Sequence, residues 1–369
     1  MNYYNSIDGL NYIFEERWNT VHSHTNSIVF NEKQFPNSSV DLLKRYNAFE
    51  EYMNENWHQY INLGAAVTGG QLLTDHGTEH VKSVICHAAD ILSDNINKLN
   101  GYELYLLLIA IHFHDIGNIL GRENHEKKIV DIIEKMGDKL QLDTLEKELV
   151  TAIAMAHGGY LEDENKDTIR IVQPDTHYDG IFIRPQALAA ILRFADEISD
   201  DLRRSISPRM KIPDGCQVYH EFSRALTPIS IVGETITFHF KIPYLLALKK
   251  LGKGESDILL YDEILERMAK CMRELEYCKK YANGLIKVSR IDVTIDILKE
   301  DSDYQIIKEM RSSFRLTLHG YPNINSSKLV DYLEPKDANF SSVGSLKYSD
   351  GKSLITAIKQ RKNGGKNSD

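Results

Sequence analysis

The stretch GYELYLLLIAIHFHDIGN, residues 101–118, decides the fold of this chain. Residues 104–113 are almost entirely apolar, so they predict a helix that is buried on all sides in a protein core. The run is too short to span a bilayer, which requires about 20 apolar residues. We therefore expect a helical protein built around this segment, with His114 and Asp115 at the end of its central helix.

The adjacent pair His114 and Asp115 indicates a metal site. Moving a carboxylate from water to a buried helix end is costly unless another charge compensates for it. A divalent cation supplies that charge. Imidazole together with carboxylate suits manganese, iron, nickel, cobalt or zinc better than calcium, which prefers a shell of oxygen atoms.

Several further segments repeat apolar residues at the spacing i, i+3, i+4, i+7, which is typical of amphipathic helices. We expect helices over 40–60, 80–92, 102–114, 123–136, 144–156 and 186–198. From Val218 onwards, β-branched runs replace this pattern, and Gly233-Glu234 between two of them indicates a hairpin. We expect strands over 229–232, 235–242, 291–298 and 314–319, and a long helix over 257–282.

These patterns predict a mainly α fold, a helical bundle with a smaller C-terminal α+β module. We expect a helical extension over 1–62, a helical domain over 63–215, an α+β accessory module over 216–334 and a polar, flexible tail over 335–369.

The composition excludes several classes of protein. Hydrophobic residues make up 42% and charged residues 26% of the chain, which is typical of a globular protein and not of a disordered one. The net charge of −9 argues against sequence-independent binding to duplex DNA. The four cysteines form no CxxC pair, and the N-terminus has no basic, apolar leader. We expect a cytoplasmic protein that needs no disulfides and contacts no membrane.

The order His80 … His114-Asp115 … Asp196, distributed over the expected helices, resembles the signature H…HD…D of the HD-domain superfamily of metal-dependent phosphohydrolases. The apolar helix before the dipeptide, the Ile-Gly after it and the ADE sequence at Asp196 match the superfamily as well. The resemblance covers a little over a third of the chain and implies an HD-type helical bundle, with 63–215 as the hydrolase domain. It also implies that these four residues hold one divalent ion: Mn, Fe, Ni, Co, Zn or Mg.

Some branches of the superfamily hold a second ion on extra histidines between the HD dipeptide and the last aspartate. His125 and His157 lie where those histidines would be. The segment around His157, MAHGG, lacks the paired histidines that such branches often have. The sequence alone therefore leaves one ion or two.

The resemblance also implies which groups act on a substrate. A bound divalent ion lowers the pKa of its water towards about 7 and polarises a phosphoryl oxygen, and Asp115 would orient the attacking water. Arg122, seven residues after Asp115, is the best-placed cation for phosphate oxygens. Lys82 and Arg193 are further candidates for binding the substrate.

The turn Asp75-His76-Gly77 precedes the first ligand helix and has two interpretations. His76 would lie near the metal, as an acid for the leaving group or as a substrate contact. Alternatively, the turn only caps the helix, through the side chain of Asp75 or Thr78.

We expect the chain to hydrolyse a phosphoester or phosphoanhydride of a nucleotide-like substrate, as a phosphodiesterase or nucleotidase. Two alternatives stay open: a metal-dependent nuclease that acts on single-stranded nucleic acid, and a nucleotide-binding sensor or interaction protein with little turnover. The net charge of −9 argues mildly against the nuclease. The α+β module is the expected surface for a homo-oligomer.

Overall fold

The structure is a computed structural model. It describes residues 9–22, 30, 33–37, 39–63, 74–200, 204, 212–300, 306–318, 329–333 and 347–364. Its contacts divide the chain into two compact units: Met1–Ser199 with Tyr277–Lys287, and Asp200–Glu276 with Val288–Asp369. The four segments expected from the sequence stay predictions, and the start of the expected helical domain, 64–73, lies outside the described residues.

Helices make up most of the described residues. The α-helices are α1 (Gly9–His22), α2 (Leu42–Asn56), α3 (Thr78–Leu92), α4 (Gly101–Phe113), α5 (Ile129–Met136), α6 (Thr144–Met155), α7 (Pro185–Ile198), α8 (Gln217–Ala225), α9 (Tyr244–Ala247), α10 (Leu260–Tyr281) and α11 (Gly351–Gly364). Short 3-10 helices cover His58–Tyr60, Ser93–Lys98, Ile116–Leu120, Gly137–Leu140, Thr168–Ile171, Asp214–Cys216 and Leu329–Asp331.

Helix α4 is the centre of the first unit, as its sequence predicts. All of its residues are buried, and it packs against α1, α2, α3, α6 and α7. A capping box begins the helix: the Asn100 side chain accepts from the Glu103 backbone N–H, and the Glu103 carboxylate accepts from the Asn100 backbone N–H. By length and composition Gly101–Leu120 could cross a membrane, but 89% of its apolar window is buried inside the protein, the environment of a core helix.

The strands in the described residues are β1 (Thr176–Tyr178), β2 (Ile181–Ile183), β3 (Ser230–Val232), β4 (Thr235–Pro243), β5 (Lys250–Lys253), β6 (Ser256–Leu259), β7 (Arg290–Glu300) and β8 (Ile306–Thr317). The second unit contains a small sheet. Four of the strands form this sheet in the order β3-β4-β7-β8, in which β4 and β7 are parallel and the outer pairs antiparallel. Gly233 joins β3 to β4 with a φ of +60°, as the hairpin prediction requires. The mainly α fold with a smaller α+β module is thereby confirmed.

The predicted helix over 123–136 is wrong in its first turns. Helix α5 begins only at Ile129, and the residues before it form turns. Asn124 has a φ of +50°, in the left-handed region that interrupts a right-handed helix. His125 therefore lies on a loop that folds towards Asp115.

Within the predicted tail, Gly351–Gly364 forms α11, an element that the sequence pattern did not indicate. Leu354 and Ile358 are buried on one side of this helix. The Gly351 backbone N–H donates to the Asp262 carboxylate at 2.6 Å, which fixes the start of the helix. The polar composition of the tail concealed two apolar residues at the spacing i, i+4, which are enough to pack one helical face.

Candidate metal centre

The four residues of the H…HD…D pattern come together in the first unit. His80 lies in the first turn of α3, His114 directly follows α4, and Asp196 lies in the last turn of α7. With Asp115 they offer four ligand atoms that all lie within 4.8 Å of one another. His80 Nε2 is 3.0 Å from Asp196 Oδ1, and His114 Nε2 is 3.3 Å from Asp115 Oδ2. These residues could hold a metal ion.

Asp115, His125 and His157 form a second group of the same kind. Asp115 Oδ1 lies 3.2 Å from His125 Nε2 and 3.8 Å from His157 Nε2, and the two Nε2 atoms are 3.1 Å apart. All three side chains are buried. Asp115 is thus shared: its Oδ2 faces the first group, and its Oδ1 faces the second.

In three histidines, Nδ1 lies next to a hydrogen-bond acceptor outside the cluster. The ring is thereby oriented so that Nε2 points into the cluster. His114 Nδ1 lies 2.6 Å from the Ile111 carbonyl, and His157 Nδ1 lies 2.7 Å from the Ala154 carbonyl. His125 Nδ1 is 3.3 Å from the carboxylate of Glu126. An Nδ1–H that donates to such an acceptor leaves the lone pair on Nε2, which is the arrangement of metal-binding histidines.

Burial disfavours the charged form of each group, and opposite charges outweigh burial at Asp115 and His114. Burial alone would raise the pKa of Asp115, but His76 and His114 hold this pKa well below its usual value. Burial would lower the pKa of His114, but the carboxylates of Asp115 and Asp196 raise it to about 10. Burial, followed by the neighbouring histidines, lowers the pKa of His157 to about 3, so this imidazole is neutral and keeps a lone pair for a metal.

Two glycines make room for close contacts around the second group, one with a backbone segment and one with a side chain. A Cβ on Gly117 would lie 2.7 Å from the carbonyl carbon of His125, so only glycine lets this loop reach Asp115. A Cβ on Gly159 would lie 2.5 Å from Cδ of Glu126, and Gly159 has a φ of +75°. Gly117 after the HD dipeptide and Gly159, the second glycine after His157, are therefore required by the geometry of the site.

Arg122 and Asn118 lie at the Oδ1 side of Asp115. Asn118 Nδ2 donates to Asp115 Oδ1 at 3.0 Å, and Arg122 Nη1 lies 3.7 Å from the same oxygen. Arg122 also donates to Asn118 Oδ1 at 3.2 Å, while 43% of its side chain is exposed. This guanidinium is next to the cluster and accessible from solvent, and its role in binding phosphate stays a prediction.

His76 contacts Asp115 from the opposite side. Its Nδ1 lies 2.7 Å from Asp115 Oδ2, and the residue is 7% exposed. Asp75 Oδ1 accepts from the Gly77 backbone N–H, and Gly77, with no side-chain cap, precedes α3. The turn therefore positions His76 against Asp115 and does not cap the helix as the alternative interpretation expected. The acid role of His76 stays a prediction.

The structure does not support Lys82 and Arg193 as substrate ligands. Lys82 is exposed and pairs with Glu79 at 2.8 Å. Arg193 is buried, donates to Thr168 Oγ1 at 2.8 Å and lies over the Tyr277 ring at 4.5 Å. Arg193 thus stabilises the packing of the first unit, because its guanidinium lies on the helix face directed towards Thr168.

Glu126 is the residue that sequence reasoning missed. It is 6% exposed, and its carboxylate contacts His125 Nδ1. The signal was the His-Glu dipeptide itself, since a carboxylate beside a ligand histidine commonly orients the imidazole. In the sequence, Glu126 resembles one more charge at the start of a surface helix.

Comparison with known proteins gives one family. The family model HD-CE matches residues 70–245 of the chain. Among curated proteins and among solved structures, neither comparison finds a match. The matched region contains both groups of candidate ligands, and together they support an HD-type domain with a site that could bind metal.

Proposed function

We propose that this chain is a metal-dependent phosphohydrolase that acts on a nucleotide or nucleotide-like phosphate ester or anhydride. One observation carries the proposal: the two oxygens of the buried Asp115 carboxylate face two separate groups of ligand atoms. A shared carboxylate with histidines on both sides fits two divalent ions held close together. The HD-CE match over the same residues supports a metal-dependent hydrolase.

In this proposal, His80, His114, Asp115 and Asp196 hold the first ion, and Asp115, His125 and His157 hold the second. Two ions at such a spacing would supply an activated water at neutral pH and neutralise charge on the phosphoryl group. Those ligands that are imidazoles bind when neutral, and the Nδ1 contacts of His114, His125 and His157 orient these rings towards the ion sites.

Arg122 binds the phosphate in this proposal. Its guanidinium is half-exposed next to Asp115 Oδ1, and it is held there by a hydrogen bond to the side-chain amide oxygen Oδ1 of Asn118. A guanidinium offers paired N–H donors to phosphate oxygens, which strengthens binding as negative charge develops on them. His76 donates to Asp115 Oδ2 and so fixes the orientation of the shared carboxylate.

The test is release of phosphate or nucleotide from a panel of substrates, with purified protein reconstituted with Mn²⁺. The panel spans nucleoside mono- and triphosphates, cyclic nucleotides, single-stranded DNA and single-stranded RNA. We expect turnover of a nucleoside mono- or triphosphate or of a cyclic nucleotide that chelation removes and that Asp115→Asn lowers by at least about 10³-fold. Arg122→Ala should lower kcat/KM by about 10²-fold, whereas the surface variant Lys82→Ala should equal the unmodified chain.

The alternatives give different results in the same experiment. Cleavage of single-stranded nucleic acid alone would establish the nuclease and overturn the proposed substrate class. Metal binding with no turnover of any substrate would favour the sensor. Turnover that persists in Asp115→Asn would refute the proposed site itself.

A further inference from the structure

A cavity of about 760 Å³ lies between α5 and α6 in the first unit. Helix α5 contributes Val130 and Ile133, and α6 contributes Ala152 and Met155. The segment after α6 adds lining residues that include Val172, and the cavity is open to solvent on one side. We call it the α5–α6 cavity.

The α5–α6 cavity adjoins the second metal group without containing its ligands. His125 lies on the loop that enters α5, and His157 lies just after α6, so the helices that form the walls also lead to these two ligands. Glu126 belongs to both sites: it lines the cavity, and its carboxylate contacts His125 Nδ1. Gly158, directly after His157, is also part of the wall.

The chemistry of the walls indicates what the α5–α6 cavity would bind. Its volume is within the range of about 300–1,000 Å³ that small-molecule sites occupy, and its buried lining residues are Ile133, Ala156 and Val172 together with Thr168 and Glu126. The charged lining residues are four glutamates and two lysines, namely Glu126, Glu134, Glu148, Glu162, Lys127 and Lys147. A net negative lining repels phosphate, so the preferred ligand is neutral or cationic.

We propose that the α5–α6 cavity is a second ligand site, for a small apolar molecule that is neutral or cationic and carries no phosphate. We further infer that its occupant alters the affinity of the second metal group through Glu126. A ligand that presses on this wall displaces the carboxylate that orients His125. By reciprocity, an ion held by His125 must then alter ligand affinity by the same factor.

Binding is tested with N-phenyl-1-naphthylamine, a neutral apolar dye whose fluorescence rises in an apolar site. Ala152→Phe fills the cavity from α6, and Val130→Trp fills it from α5, in case one variant does not fold. Each should weaken dye binding by about tenfold or more. The matched control Leu145→Phe adds an aromatic ring on α6 at an exposed position outside the cavity lining, and should leave dye affinity unchanged. Equal dye affinity in all four proteins would overturn the site.

The coupling between the α5–α6 cavity and the second metal group is tested by calorimetric titration with Mn²⁺ in the presence and absence of saturating dye. We expect the weaker Mn²⁺ affinity to change by about fivefold or more, and the stronger one to stay constant. Glu126→Gln should reduce this factor, since it removes the charge that couples the two sites. Dye binding with no effect on Mn²⁺ would refute the linkage. If the chain binds only one Mn²⁺, the proposed two-ion centre fails, while the cavity-filling variants still test the ligand site.

Discussion

Substitution of Gly159 by alanine should weaken the second metal group and spare the first. A Cβ at this position would lie 2.5 Å from Cδ and 2.7 Å from Cγ of Glu126, whereas ordinary contact begins at 3.4 Å. The Glu126 carboxylate must therefore move by roughly 1 Å to make room for the added carbon. Its φ of +75° adds about 1–2 kcal/mol of strain for any residue with a Cβ.

The expected loss follows from the role of Glu126. Removal of a carboxylate that orients a metal-binding histidine lowers metal affinity by about 10–100-fold, which corresponds to about 1.4–2.8 kcal/mol. The measurement is a calorimetric titration of the metal-free protein with Mn²⁺. We expect Gly159→Ala to lose affinity for the weaker ion by this factor and to retain the stronger one.

Gly158→Ala is the matched control, since a Cβ on Gly158 meets nothing within 4 Å and its φ is not positive. It should bind both ions as the unmodified chain does. Equal affinities in Gly159→Ala and Gly158→Ala would refute the argument that Glu126 supports His125. A loss of both ions in Gly159→Ala would show that the effect is not confined to the second group.

Three further predictions follow from the same structure. Burial lowers the pKa of His58 to about 4, whereas the same imidazole in the unfolded chain has the ordinary value of 6.5. The unfolded chain therefore binds more protons, and the free energy of unfolding should fall as the pH drops from 6.5 towards 4. His58→Gln should reduce this loss by up to about 3 kcal/mol in denaturant unfolding, whereas His177→Gln, at an exposed position, should not. Asn100→Ala removes the cap of α4 and should lower the free energy of unfolding by about 1–2 kcal/mol, and an unchanged denaturation midpoint would contradict the capping box. Chelation should lower the melting temperature, because an ion at 100 times its Kd stabilises the folded state by about 2.7 kcal/mol, and His80→Asn should no longer respond fully to added Mn²⁺.

The helices and strands could be predicted wherever one pattern of apolar residues extended over the whole element. Helix α4 and its amphipathic neighbours bury continuous apolar faces, so the apolar residues in the sequence indicate where these helices lie. Helix α11 could not be found this way, because its apolar packing depends on Leu354 and Ile358 within a mostly polar sequence. The contact that holds its start comes from Asp262, which is distant in the sequence.

The residues of the candidate metal centre could be predicted because a histidine or aspartate at a buried helix end has few other roles. The residues that support them were not, since their roles depend on close approaches in space. Gly159 and Gly117 are ordinary loop glycines in the sequence, and only the structure brings them against Glu126 and His125. The orientation of Arg193 could not be predicted for the same reason: its place one turn before Asp196 gives no information about which way the guanidinium points.

The metal content of the purified, Mn²⁺-reconstituted protein tests the central claim most directly. Elemental analysis should find two ions per chain, one ion in His157→Asn, and a further loss in Asp115→Asn, since Asp115 is common to both groups. A chain that binds no ion after reconstitution, or a His157→Asn variant that still holds two, would contradict the two-ion centre.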